Sequence, residues 1–238
     1  LKAGLKKCHG LNELANHPRF YLSCRLALAD FASTMPNKPS TEFEQLRAEI
    51  AASAARMIAE DGADYGTAKQ KAARQILGNA RIRGDILPDN AQIEEEVRQY
   101  NELFLSDTQP ARLHHLRALA VRLMEELDQF NPYLTGAVLN GTAGVHSDIH
   151  LQLFAESPKD VEIYLLNKNI NFDVSETGHY KGRQNEAVET LSFLHEREGV
   201  HLALYTIDDL RNAPKTGTLG NRANLDTVRS LIAGGVQQ

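Results

Sequence analysis

"VLNGTAGVHSDIHLQLF", residues 138–154, is the stretch on which the fold turns. Its first half is a turn of small residues, Gly141, Thr142, Ala143 and Gly144. Its second half alternates strictly, with Ile149, Leu151 and Leu153 toward one face and Asp148, His150, Gln152 and Phe154 toward the other, the period of a strand with one buried side. The same alternation describes a strand that merely shows a solvated face, so what lies on either side of it matters.

Upstream the period is helical. In "TEFEQLRAEIAASAARMIAED" the residues Phe43, Leu46, Ile50, Ala54 and Met57 recur at three and four, with Thr41 and Glu44 as a capping box. "DYGTAKQKAARQI" repeats the pattern, and Gly and Pro in "GNARIRGDILPDN" interrupt it. A third helix is expected after Asp89, with Gln92 closing its cap and Ile93, Val97, Tyr100 and Phe104 on one face; a fourth carries Leu113, Leu116, Leu119, Leu123 and Leu127. Around "NPY", 131–133, the pattern changes. "GAVLNG" reads as a short apolar strand, "SPKDVEIYLLNKN" as a capped helix, "INFDVSE" as a strand, "NEAVETLSFLHE" as a helix, "GVHLALYTI" as a strand and "NLDTVRSLI" as a last helix. Helices first and a small mixed unit afterwards make the expected class α+β, a helical N-terminal region packed on a small mixed-sheet α/β unit. The expected divisions are a possible N-terminal extension at 1–34, ahead of the first methionine, Met35; a helical domain at 35–132; and the α/β domain at 133–238.

The chain of 238 residues is 42% hydrophobic and 24% charged, with a net charge of -5 from 26 basic and 31 acidic side chains. That balance gives no global attraction to nucleic acid. The two cysteines, Cys8 and Cys24, match neither a zinc knuckle nor a redox CxxC pair. The polar residues in "LNELANHPRFYLSC" argue against a signal peptide, and no run has the length of a membrane span, so a cytoplasmic protein with no membrane partner is expected.

A strand, a small-residue turn and a second strand opening with Ser-Asp resembles the nucleotidyltransferase superfamily, the polymerase-beta-like fold. The matching residues are Gly141 and Thr142 in "NGTAG" and Ser147 with Asp148 in "SDIH". The resemblance covers residues 133 to about 210. It implies that Gly141, Thr142 and Ser147 cradle the phosphates of an NTP, and that carboxylates two apart on one strand face hold Mg²⁺ or Mn²⁺ between those phosphates and an attacking hydroxyl. Here the second position of the acidic pair is His150, a divergence from the family pattern, and the interval from Gly-Thr to Ser-Asp is shorter than usual. Strand order nominates Asp173 as the third acid. The expected metal set is thus Asp148, His150 and Asp173, with Asp148 and Asp173 catalytic. Lys181 and Arg183 in "HYKGRQ" are the expected phosphate cations, with Arg211, Lys215 and Arg222 as further ones.

Two functions follow. One is metal-dependent transfer of a nucleotidyl group from an NTP to a hydroxyl on RNA, a protein or a small molecule. The other is a catalytically inactive module of the same fold that binds nucleotide or RNA in a regulatory or interaction role. The basic run Lys69, Lys71, Arg74, Arg81 and Arg83 offers a surface to an RNA backbone. His146, Asp148 and His150 stand at i, i+2 and i+4, a set whose chemistry suits Zn²⁺, although neighbours about 7 Å apart on a strand require a bend to share an ion. No P-loop, dinucleotide fingerprint, nucleophile elbow or H-E-x-x-H motif occurs.

Overall fold

The computed structural model describes residues 42–78, 86–178, 187–211 and 222–234. Among the described residues three helices come first: α1 (Glu42–Asp61), α2 (Tyr65–Leu77) and α3 (Asn90–Phe104). Asp64 caps α2 by accepting from the Thr67 N–H at 2.9 Å, and Asp89 with Gln92 forms a reciprocal capping box on α3. Their apolar stripes meet in a core of their own around Ile50, Ala54, Ala72, Ile93 and Val97. Thr41 of the expected cap on α1, residues 1–34, both cysteines, and Arg81 and Arg83 lie outside the described residues.

The fourth helix, α4 (Gln109–Glu126), belongs elsewhere. Leu116, Leu119, Leu123 and Met124 are buried in the second core, the one that backs the sheet. The helical region therefore divides by its cores, three helices together and α4 with the α/β unit. A 3₁₀ turn at Asp128–Phe130 ends on Asn131 in the left-handed conformation, the change of pattern at "NPY".

The α/β unit holds β1 (Tyr133–Thr135), α5 (Gly136–Asn140), β2 (Ile149–Ala155), α6 (Pro158–Asn167), β3 (Asp173–Gly178), β4 (Ala187–His195), β5 (Glu198–Thr206), α7 (Ile207–Arg211) and α8 (Leu225–Gly234). The sheet order is β1-β2-β5-β4-β3, with β2 and β5 parallel and every other pair antiparallel. The fold is α+β, as the pattern predicts. One sheet face carries Ile149, Leu151, Leu153, Leu191, Val200 and Leu202 into the core with Val161, Leu165 and Val228 of the covering helices. Among the described residues, no helix is long and apolar enough to cross a membrane.

Two elements change type against the expectation. "GAVLN" is the short helix α5, bracketed by Gly136 and Gly141, both at positive φ; five apolar-rich residues carry too little period to tell strand from helix. "AVETLSFLH" is the strand β4, bonded on both sides by β3 and β5, and leaves Leu194 78% exposed. The expected strand at 170–176 begins later, at Asp173.

Candidate functional site

The loop from α5 to β2 is held from behind by α4. Gln109 Nε2 donates to the carbonyls of Gly141 (3.1 Å) and Ala143 (2.8 Å), and Arg112 donates to those of Gly144 (3.4 Å) and Val145 (3.2 Å). Arg117 donates to the Val138 and Leu139 carbonyls, satisfying the end of α5. Arg112 also grips Glu198 with two nitrogens, Nη2 to Oε2 at 2.7 Å, and this hydrogen-bonded guanidinium holds the Glu198 carboxyl below the usual carboxylate range. His115 reaches the same carboxylate at 3.2 Å.

This frame delivers Asp148 to a register row that crosses the open face of the sheet: Thr135, His150, His201, Ser192 and Asp173, one from each strand. Asp148 Oδ2 lies 3.1 Å from His201 Nε2, and His201 Nδ1 lies 2.9 Å from Ser192 Oγ. The approach depends on Gly199. A Cβ there would stand 2.3 Å from Asp148 Oδ1. His150 stacks on His201 with centroids 4.8 Å apart and planes 18° from parallel. One edge of His150 stays exposed, yet the desolvation of the packed ring, reinforced by the charge of His201 and opposed by Asp148, holds its pKa below the usual imidazole value.

Asp148 and Asp173 line one cleft of about 840 Å³, with Ser192, His201 and Arg197. They do not converge. The Asp148 carboxylate rests against His201 and Gly199 of β5, and Asp173 lies on the edge strand two strand spacings beyond, about 10 Å at roughly 4.8 Å per strand. Both nitrogens of His201 are engaged, one by Asp148 and one by Ser192. That leaves a single carboxylate beside imidazoles, a donor set that does not suit Mg²⁺, which demands oxygen ligands in octahedral array. Among the described residues, no group of three or more His, Cys, Asp or Glu side chains is placed to hold a metal ion.

No protein-family model matches the chain, and no curated protein matches it in sequence.

The other expected site residues are dispersed. Gly141 ends α5 at φ 86°, and Thr142 is 3% exposed, its N–H and hydroxyl both donating to Asn140 Oδ1 and its carbonyl accepting from Asn101 at 3.4 Å. These two join the helices to the sheet and do not line the cleft. Ser147 closes the loop by accepting the Gly144 N–H at 3.0 Å. His146 packs on Gly62, where a Cβ would meet its own Cβ at 2.5 Å, and it also lines the cleft, so it stands between this joint and the site. Lys181, Arg183 and Lys215 lie outside the described residues. Arg211 pairs with Asp208, and Arg222 covers the rings of Tyr133 and Phe154 at 5.0 and 5.3 Å, at the far end of the sheet face.

The sequence pattern alone does not single out His201, Ser192, Arg112, Glu198 or Arg197. His201 carried a signal, since "VHLALY" alternates as "IHLQLF" does, but only the parallel pairing of β2 with β5 sets the two histidines side by side. Arg197 stands at the tip of the β4–β5 hairpin, at φ 73°, on the cleft rim.

Proposed function

We propose that this chain is a nucleotidyltransferase-like module without nucleotidyl-transfer chemistry, one that binds a nucleotide in the Asp148–His201 cleft without a metal and serves a regulatory or interaction role. The observation that carries the reading is the hydrogen bond from His201 to Asp148, which commits one oxygen of the side chain on which a catalytic ion would depend, while Asp173 stands apart on the edge strand. Transfer of a nucleotidyl group needs opposite charge placed against both the attacking and the leaving oxygen. Arg197, exposed on the rim with no ion pair among the described residues, supplies one positive charge for phosphate. Half-buried Phe172 and the His201 ring supply faces on which a base can stack.

Calorimetric titration with each of the four NTPs, with Mg²⁺ and again with a chelator, tests this. The reading expects binding that survives the chelator and weakens at least several-fold in Arg197→Ala. Binding that requires Mg²⁺ and vanishes in Asp148→Ala would restore the transferase reading, and no binding of any NTP would remove both.

A further inference from the structure

The three side chains at the floor of the cleft form a directional chain. An ionised carboxylate only accepts hydrogen bonds, so the proton on His201 sits on Nε2, facing Asp148 Oδ2 at 3.1 Å. When the ring is neutral this is its one proton, so Nδ1 carries a lone pair to which Ser192 Oγ, 2.9 Å away, donates. A hydroxyl facing a base that is itself oriented by a carboxylate is the arrangement that activates serine for nucleophilic attack, whatever fold presents it. The two ring nitrogens are exchanged relative to the usual protease arrangement, but both belong to one conjugated ring and relay a proton equally. The parts are held firmly. Ser192 and His201 are register partners on adjacent strands, Gly199 admits Asp148, and the stacked ring of His150 fixes the plane of His201. Val145 and Leu194, 68% and 78% exposed, line the same cleft and offer apolar surface beside the serine.

We propose that Ser192 is a nucleophile that accepts an acyl group from an activated ester with an apolar acyl chain, with His201 as general base and Asp148 as the positioning residue. As Oγ attacks the carbonyl carbon, its proton passes to His201 Nδ1 and the carbonyl π pair moves onto oxygen. On collapse the bond from carbon to the leaving oxygen breaks, and that oxygen takes the proton from Nδ1. The products are acyl-Ser192, a free alcohol and neutral His201; water entering by the same route releases the acid and restores the serine.

The probe is p-nitrophenyl acetate with the full chain, read by release of nitrophenol and by peptide mass mapping of the adduct. The expected result is one acetyl group on Ser192, absent in Ser192→Ala, and formed about 10²-fold or more slowly in His201→Gln. Asp148→Asn gives a more specific readout. An amide N–H donated to Nε2 shifts the ring proton to Nδ1 and removes the acceptor for Ser192, so acylation falls while the circular dichroism spectrum and unfolding midpoint stay close to wild type. Added imidazole is expected to restore acylation in His201→Gly, which a purely structural histidine would not allow. Wild-type protein that leaves Ser192 unmodified would overturn the proposal without recourse to any variant, and acylation that is as fast in His201→Gln would overturn it too.

Discussion

At the residue scale, the cleft depends on one missing methyl group. Asp148 reaches His201 only because residue 199 is glycine, since a Cβ on that residue would lie 2.3 Å from Oδ1. Gly199→Ala is expected to push the carboxylate off His201 and to change stability by less than about 1 kcal/mol, because the half-exposed Asp148 side chain is able to turn away. Nitrogen NMR of the imidazole rings reads the first effect as loss of the hydrogen-bonded Nε2–H state, and urea unfolding reads the second. His150 gives a pH signature. Its folded pKa lies below its unfolded value because of desolvation and the neighbouring His201, so the unfolded chain takes up the proton first. The stability that this group supports is complete above the unfolded imidazole value of about 6.5 and is lost as pH falls toward the lower folded value. The unfolding midpoint is expected to fall between pH ~8 and ~5.5, and to fall less in His150→Gln. The sequence displayed Asp148 and His150 on one strand face; Asp148 lines the cleft, and His150 stacks on His201, which lines it. It hid Ser192, because "NEAVETLSFLHE" places apolar residues at spacings that serve a helix as well as a strand, and a serine has no chemical meaning until its neighbour is known.

At the element scale, the β4–β5 hairpin is the strained part of the site. His195 pairs with Glu198 across a two-residue loop, and both loop residues, Glu196 and Arg197, have positive φ, 51° and 73°. Such loops favour Asn-Gly, and side chains other than Gly and Asn are costly there. The exposed pair between Arg122 and Glu196, 2.6 Å, adds little. The double variant Glu196→Asn, Arg197→Gly is expected to raise stability by about 1 kcal/mol while weakening nucleotide binding, since it removes the rim cation. Thermal unfolding and calorimetry on the same sample check the two opposite signs. The absence of a favoured turn dipeptide is also why this hairpin is not legible in the sequence. The helices with capping residues and a sustained stripe were legible, α3 down to its Asp89–Gln92 box; the short α5 was not, because five residues hold barely one turn of period.

At the scale of the whole molecule, two cores meet at the small-residue loop ahead of β2. Residues 140–146 bond to Asn101 and Gln109 and touch Tyr65, so the turn joins the three-helix core to the sheet, while the strand it feeds builds the cleft. The α+β class was readable from the change of period near residue 131. The sheet order was not, since the pairing of β2 with β5 spans about fifty residues and leaves no local trace. That pairing decides the chemistry, because it sets His201 where it binds Asp148. Chemical-shift mapping of the isotope-labelled chain with ATP, in a chelator and again with excess Mg²⁺, tests the account most directly. The account predicts saturable ATP-induced shifts at Asp148, His201 and Arg197 with the same apparent affinity in both conditions. Shifts that appear only with Mg²⁺, or none at these residues, would contradict it.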